Sequence, residues 1–205
     1  MVGVFNQPEF VICDLDVLKT LPRDEFIGGF AEIIKHGAIK DRNLFTFIEE
    51  NCNKALAFDK EVLHRMVHDS VVIKGKVVEA DEHEKGERRK LNFGHTFGHA
   101  LEKLTGISHG KAIGIGMMMA AEASVKLGFL DAEDAKRLEK VIAGYQLPVQ
   151  LKIDKTMLLQ AMRKDKKREG EGVHLVLLKG LGTAFIHTVS YKQLEEIIYD
   201  MHCCQ

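Results

Sequence analysis

The sequence lacks a long hydrophobic run. Its longest nearly apolar stretch, Ala112 to Ala121, is well short of the roughly 18 residues that a membrane-spanning helix requires. The first residues also lack the basic and apolar regions of a secretory signal. We therefore expect no transmembrane helix, no membrane partner and a cytoplasmic location.

Paired cysteines and an excess of either charge are missing as well. The four cysteines contain no CxxC spacing, so the sequence predicts neither a disulfide framework nor a cysteine zinc site. The 29 Lys and Arg residues nearly balance the 30 Asp and Glu residues, which gives no indication of a nucleic-acid partner. No GxGxxG motif or other glycine-rich phosphate loop occurs in these 205 residues, so no dinucleotide-binding unit is recognised.

The hydrophobic pattern predicts a mainly α-helical protein. At 205 residues and 45% hydrophobic content, the chain can bury one substantial core. Apolar residues at helical spacing predict helices over 23–50 with a break near Gly37 and 41–43, and over 60–80, 94–104, 111–127, 131–143 and 192–201. Asp131 is the expected N-cap of the helix over 131–143. Short β-branched runs predict strands at 10–14, 173–178 and 183–189, the last two as a hairpin.

Histidine and glycine cluster in the segment Asn92-Phe-Gly-His-Thr-Phe-Gly-His-Ala100. His95 and His99 are four positions apart, so they share a face of the predicted helix and indicate a metal or proton-transfer site. Two surface histidines that merely share a face would give the same spacing. His109 opens the next apolar helix, and Glu32 lies in an apolar stretch where a carboxylate needs a partner. Spacing favours His95 and His99 as the ligand pair and leaves open whether Glu32 or His109 joins them.

Basic residues form a second set of candidates. Lys35 lies one helical step from Glu32, and Lys74 interrupts an apolar stretch. Arg88 lies shortly before the histidine segment, and Lys166 belongs to a short run of charged residues. Such side chains bind phosphate or carboxylate groups through charge-assisted hydrogen bonds. For each of them alone, a solvated surface charge is the simpler interpretation.

Several of these elements, taken together, resemble one enzyme family. In chain order they are Thr20-Leu-Pro22, Ala31-Glu-Ile-Ile-Lys35, Lys74 followed by Ala80-Asp-Glu82, Arg88-Arg-Lys-Leu-Asn-Phe-Gly-His-Thr-Phe-Gly-His99, and His109-Gly110. This order and spacing is similar to that of the 3-dehydroquinate synthases, and the match runs over most of the chain. The LNxGHTxGHA segment followed by His-Gly is highly specific for that family.

The resemblance implies a role for each matched residue. It implies that Glu32, His95 and His109 hold a divalent metal, zinc or cobalt, and that His99 contacts the substrate and transfers protons. The remaining substrate-binding or catalytic residues would be Lys35, Lys74, Arg88, Asn92 and Lys166, where the Asp165-Lys-Lys167 element could slip by one position. The segment that touches the nucleotide from this side would be Val17, Leu18, Lys19 and Thr20.

The resemblance also implies a fold and a reaction. The fold is the multi-helix C-terminal domain of the dehydroquinate synthase-like fold, mainly α with a few short strands and a C-terminal hairpin. Residues 1–205 would form one metal- and substrate-binding domain, with 1–22 as a strand and connection from an N-terminal NAD-binding domain. The lyase reaction converts 3-deoxy-arabino-heptulosonate 7-phosphate to 3-dehydroquinate and phosphate in the shikimate pathway of aromatic amino-acid biosynthesis. The expected cofactors are the metal and NAD, and the expected assembly is a homodimer.

Other functions remain open at this point. Related sugar-phosphate cyclases such as 2-deoxy-scyllo-inosose synthase share the metal set, and metal-dependent polyol dehydrogenases also pair a nucleotide domain with a helical metal domain. A helical metal-binding module with a purely structural role would instead have a closed metal site.

Two departures from the family pattern lead to further expectations. Family members are roughly 350 residues long and include an α/β nucleotide-binding half, so we expect the 205-residue chain alone to be inactive. Lys111 stands where the family commonly has Glu after His-Gly, and the connection between His99 and His109 is short. Both departures concern the local geometry of His109.

Overall fold

The chain is described by a computed structural model, which covers residues 9–81, 86–165 and 172–202. Its helices are α1 (Arg23–Lys40), α2 (Arg42–Glu50), α3 (Cys52–Leu56), α4 (Lys60–Ala80), α5 (His95–Thr105), α6 (His109–Lys126), α7 (Ala132–Gly144), α8 (Lys155–Asp165) and α9 (Tyr191–Tyr199). Two 3-10 segments, Leu15–Thr20 and Glu87–Asn92, and the strands β1 (Gly172–Gly180) and β2 (Thr183–Ser190) complete the described elements. The predicted fold class, mainly α with a C-terminal hairpin, is confirmed.

Helix α6 forms the centre of the core. Every residue from Ala112 to Ala121 is buried, as expected for a helix that is apolar on all sides. Helices α1, α5 and α7 and strand β1 pack around it. Among the described residues, no helix is long and apolar enough to cross a membrane. The longest apolar run is thus the core helix of this domain.

Glycines allow the neighbouring helices to approach α6 at backbone distance. A Cβ atom on Gly110 would lie 2.3 Å from the Cα of Gly28 in α1. A Cβ atom on Gly116 would lie 2.1 Å from the carbonyl oxygen of Gly94, just before α5. Any larger residue at Gly110 or Gly116 would have to push backbone apart. These contacts therefore fix the positions of α1 and α5 on α6.

The C-terminal part closes the other side of the core. Strands β1 and β2 pair antiparallel, with Val173 opposite Val189 and an irregularity between Leu178 and Gly180. The buried Ser124 of α6 accepts a hydrogen bond from the Leu178 backbone N–H at 3.0 Å. The hairpin and the final helix are therefore confirmed, with bounds shifted by one or two residues.

Some predicted local features are wrong. The run Phe10 to Asp14 is not a strand: Phe10 and Ile12 are exposed, and no described strand pairs with it. Gly37 does not break the helix but lies inside α1. Its lack of a side chain makes room for the Phe45 backbone, which a Cβ atom at this position would approach within 3.0 Å. The break falls at Asp41, whose carboxylate caps α2.

Helix ends and short helices account for the remaining differences. Asp131 occupies the N-cap position of α7 but its side chain makes no capping hydrogen bond. Helix α8 is not among the predicted helices, and it begins where Asp154 accepts hydrogen bonds from the Thr156 and Met157 backbone N–H groups. Helix α6 starts at His109, two residues before the predicted start, and this places His109 on its first turn.

Candidate metal centre

Three helix segments bring Glu32, His95 and His109 together. Glu32 lies in the middle of α1, and the two histidines are the first residues of α5 and α6. Gly94, with φ of 79°, provides the left-handed residue from which α5 starts. The Gly28–Gly110 contact lies one residue from His109, so the same backbone approach that packs α1 on α6 brings Glu32 to this histidine.

The ligand atoms of these three residues are close enough to share one metal ion. Glu32 Oε1 lies 3.4 Å from His95 Nε2 and 3.8 Å from His109 Nε2. One candidate atom from each residue lies within 4.8 Å of the others. Two ligands bound at 2.0–2.1 Å in a tetrahedral arrangement are separated by about 3.3 Å. Two imidazoles and one carboxylate therefore fit a zinc-type site that leaves a position for substrate.

One oxygen of the cluster has no hydrogen-bond partner. Glu32 Oε1 is buried and accepts no hydrogen bond among the described residues, whereas Glu32 Oε2 accepts one from Lys35 Nζ at 2.5 Å. A buried, unsatisfied carboxylate oxygen is costly unless a cation or donor binds it. Because both histidine Nε2 atoms surround this same oxygen, a divalent cation bound between them would satisfy it.

The charge state of Glu32 suits a metal ligand. Burial alone would raise the pKa of this carboxyl, but the adjacent His95 imidazole and Lys35 ammonium outweigh burial and hold the pKa well below its usual range. Burial lowers the pKa of Lys35, and the charge of Glu32 opposes that change. Glu32 is therefore ionised at neutral pH before any metal binds.

His99 forms part of a second, overlapping group. Its ring centroid lies 5.2 Å from that of His95 and 6.1 Å from that of His109, and its side chain is exposed. His99, Glu102 and His109 also place one candidate ligand atom each within 4.8 Å. The two groups share His109, but the first one contains the buried oxygen without a partner. The geometry thus favours Glu32 over His99 as the third ligand, unlike the spacing argument.

The basic candidates lie one turn after Glu32 on α1, on α4, and in the segment before α5. Lys35 is buried, with 3% of its surface exposed, and Lys74 is exposed on α4, where its charge also lowers the pKa of Lys35. Arg88 and Asn92 are partly buried in the 3-10 segment that leads into α5. The Asp81 carboxylate accepts hydrogen bonds from the backbone N–H groups of Gly86 and Arg88, at 2.7 and 3.1 Å, which orders this segment.

The predicted nucleotide-contacting residues lie in a separate segment before α1. Val17, Leu18, Lys19 and Thr20 belong to the 3-10 segment Leu15–Thr20, which packs against α4. The Thr20 hydroxyl donates to the Val17 carbonyl, and the Lys19 ammonium pairs with Asp16 at 2.8 Å. Lys166 lies outside the described residues.

The structure accommodates both departures near His109. Lys111 pairs with Asp24 of α1 at 2.7 Å, so the first turn of α6 is tied to the helix that carries Glu32. Gly106, with φ of 69°, ends α5, and the following two residues suffice to reverse the chain into α6. The short connection therefore still returns His109 to the vicinity of His95.

Sequence reasoning missed two polar pairs beside the cluster. The buried His36 ring hydrogen-bonds to Ser70 of α4, and His109 Nδ1 lies 3.3 Å from Glu102 Oε2. Nothing in the spacing of His36 and Ser70 indicates that they meet. Glu102 did carry a signal, because it lies three positions after His99 and seven after His95, on the same helical face.

Comparison with known sequences identifies relatives over most of the chain. A family profile described as "3-dehydroquinate synthase C-terminal" matches residues 29–168. Curated 3-dehydroquinate synthases from Thermoanaerobacter pseudethanolicus and Thermodesulfovibrio yellowstonii are 39% and 41% identical over 97% of this chain. One from a Geobacter species is 43% identical over 89% of the chain. The chain spans 51–57% of the length of these relatives.

Solved structures of related cyclases share the fold. A 2-deoxy-scyllo-inosose synthase complexed with carbaglucose-6-phosphate, NAD⁺ and Co²⁺ superposes with a TM-score of 0.81 and 25% identity, over 97% of this chain and 58% of its own. A 2-epi-5-epi-valiolone synthase from Streptomyces hygroscopicus, with NAD⁺ and Zn²⁺ bound, gives a TM-score of 0.80 at 24% identity. It covers 91% of this chain and 53% of its own.

Proposed function

Because the chain belongs to the 3-dehydroquinate synthase C-terminal domain family, we propose that it is the metal- and substrate-binding half of a 3-dehydroquinate synthase. This half would act on 3-deoxy-arabino-heptulosonate 7-phosphate and yield 3-dehydroquinate and phosphate. The observation that supports the proposal best is Glu32 Oε1, a buried and unsatisfied carboxylate oxygen flanked by two imidazole Nε2 atoms. The metal is proposed to be zinc or cobalt, as in the related cyclase structures.

The residues divide the work between metal binding and substrate binding. Glu32, His95 and His109 would hold the ion, which when bound polarises the substrate hydroxyl that NAD oxidises. Lys74 and Arg88, with Lys35 and Asn92, would bind the phosphate and carboxylate groups of the substrate through charge-assisted hydrogen bonds.

His99 would be the proton-transfer residue. Its exposed imidazole lies beside both histidines of the metal group without belonging to the set that contains Glu32. An imidazole in this position can accept a proton from the substrate and return it near neutral pH. The buried Lys35 would keep Glu32 ionised and in place.

The competing proposal is that this domain belongs to a cyclase that acts on a different sugar phosphate. The 2-deoxy-scyllo-inosose synthase with a bound sugar phosphate analogue superposes over nearly the whole chain, which supports the same reaction class with another substrate. The higher identity to the curated 3-dehydroquinate synthases favours the first assignment.

A chimeric enzyme tests the proposal directly. The C-terminal part of the Thermodesulfovibrio yellowstonii relative would be replaced by this chain, with the parent enzyme and a Glu32→Ala chimera as controls. With NAD, Zn²⁺ and 3-deoxy-arabino-heptulosonate 7-phosphate, we expect 3-dehydroquinate and equimolar phosphate, both lost in the Glu32→Ala chimera. Phosphate release only from another sugar phosphate would replace the substrate assignment. Oxidation of a polyol with reduction of NAD⁺, and without phosphate release, would replace the reaction class.

We further propose that the 205-residue chain has no turnover by itself. It covers little more than half of its relatives, and its sequence contains no recognised dinucleotide-binding loop. Formation of 3-dehydroquinate by the purified chain, at a rate near that of the parent relative, would disprove this expectation.

A further inference from the structure

The two histidines nearest Glu32 are both held at their Nδ1 atoms, by different acceptors. His95 Nδ1 lies 3.2 Å from the carbonyl oxygen of Phe93, and His109 Nδ1 lies 3.3 Å from Glu102 Oε2. Neither a carbonyl nor a carboxylate oxygen can donate, so the imidazole donates in both hydrogen bonds. In the neutral form, each ring then carries its lone pair at Nε2, the atom that faces Glu32 Oε1 and that would bind the ion.

The two histidines differ in how firmly their surroundings hold them. The side chain of His95 is 14% exposed, and its acceptor is the backbone of the segment that starts α5. The side chain of His109 is 49% exposed, so packing restrains its ring less than that of His95. Glu102 comes from α5, across the Gly106 turn, and supplies the hydrogen bond that fixes the His109 ring.

We propose that Glu102 is a positioning residue of the metal centre: it orients His109 through Nδ1 without binding the ion itself. The inference rests on the metal site in the proposed function. A carboxylate that accepts from Nδ1–H selects the tautomer with a free Nε2 and strengthens electron donation from that nitrogen to a metal. Helix α5 would then supply one ligand, His95, and the support for the other.

The alternative is that Glu102 is itself a ligand, together with His99 and His109. A metal bound between Glu102 Oε2 and His109 Nδ1, which lie 3.3 Å apart, would require His109 to lose the Nδ1 proton that Glu102 accepts. The buried oxygen that lacks a partner would also remain unsatisfied, because it belongs to Glu32. The geometry therefore favours support over direct binding.

Metal affinity separates these possibilities without any turnover. The dissociation constants of Zn²⁺ and Co²⁺ would be measured on the 205-residue chain by competition with a chromophoric chelator, for Glu102→Ala, Glu102→Gln and the control Glu139→Ala. Glu139 is an exposed carboxylate on α7. We expect about 10–100-fold weaker binding for Glu102→Ala and wild-type binding for Glu139→Ala. Glu102→Gln keeps an accepting oxygen and should recover most of the loss.

The visible spectrum of bound Co²⁺ provides the second measurement. The wild type and Glu102→Ala should each hold one ion per chain with the same band positions, because the ligands are unchanged. Wild-type affinity in Glu102→Ala would overturn the inference. Binding of a second Co²⁺ ion per chain, or shifted band positions that indicate the loss of a ligand in Glu102→Ala, would overturn it as well. If the wild type binds neither metal, the proposed metal centre fails as well, whereas an unchanged Glu102→Ala affinity leaves the proposed function intact.

Discussion

The metal side and the basic side of the candidate site are constructed differently. The metal side consists of Glu32, His95 and His109 on three helices whose crossings are fixed by glycine contacts. The basic side consists of Lys74, exposed on α4, and of Arg88 and Asn92 on a 3-10 segment ordered by the Asp81 carboxylate.

The difference follows from the reach of the side chains. A metal ion requires its ligand atoms at about 2 Å, and short imidazole and carboxylate side chains meet that only if the backbones are placed accurately. Lysine and arginine bind anions at the end of long, flexible side chains, so their backbones tolerate more displacement. Backbone packing should therefore control metal binding much more than anion binding.

The largest expected effect comes from adding a side chain at the contact between α1 and α6. In Gly110→Ala the new Cβ atom would overlap the Gly28 backbone, so the two helices must separate. We expect the free energy of unfolding to fall by about 3 kcal/mol and metal binding to be lost.

Gly29→Ala is the matched control, because it lies on α1 with open space around its Cα. It should keep the metal and gain up to about 1 kcal/mol of stability from lower backbone entropy. Urea unfolding and chelator competition measure both quantities. Equal behaviour of the two variants would mean that the glycine contact does not position the metal side.

The second prediction concerns the hydrogen bond that joins the two sides, between His36 on α1 and Ser70 on α4. Burial, assisted by the Lys35 charge, lowers the pKa of His36 from 6.5 to about 4; Lys74 and His95 act in the same direction and Glu32 opposes them. The unfolded chain therefore takes up this proton first as pH falls. The contribution of neutral His36 to the free energy of unfolding is fully present above pH 6.5. It is lost as the pH falls towards 4, and the loss is at most about 3 kcal/mol.

His36→Asn tests this, because asparagine can bond to Ser70 but does not titrate. Unfolding by urea between pH 4 and 7 should show a steeper loss of stability in the wild type than in the variant. Parallel pH profiles would show that the pKa of His36 is the same in the folded and unfolded chain.

The third and smallest prediction compares Lys35, which bonds to Glu32 of the metal side, with Lys74 of the basic side. Lys35→Met leaves the partly buried Glu32 without its ammonium partner, so the metal-free chain should lose about 2 kcal/mol of unfolding free energy, less than for a fully buried pair. Lys74→Met removes an exposed charge and should change it by no more than about 0.5 kcal/mol. Equal losses, measured by urea unfolding, would contradict the contrast between the two sides.

Sequence patterns predicted the elements better than their contacts. Apolar spacing predicted α4 with its observed bounds, and it predicted the hairpin, because those signals depend on neighbouring residues. The prediction of a strand at Phe10 to Asp14 was wrong because a strand also needs a pairing partner, which its own residues do not reveal. The predicted helix break at Gly37 was wrong for a similar reason, because this glycine instead allows the Phe45 backbone to pack close to α1.

The candidate site shows the same limit. Spacing paired His95 with His99, which lie on one helix. It could not say whether Glu32 or His109, which come from other helices, belongs to the same site. Only the resemblance to a family, and then the helix crossings, singled out Glu32, His95 and His109. The Glu102 contact depends on the turn at Gly106, so its helical spacing alone could not reveal His109 as its partner.

Metal content after single substitutions tests the central claim most directly. Glu32→Ala, His95→Ala, His109→Ala and His99→Ala would be purified with Zn²⁺ and analysed for bound metal and for the metal-dependent rise in melting temperature. The first three variants are predicted to lose the ion and that rise in melting temperature, while His99→Ala keeps both. Loss of the metal in His99→Ala with retention in Glu32→Ala would contradict the account and make His99 a ligand.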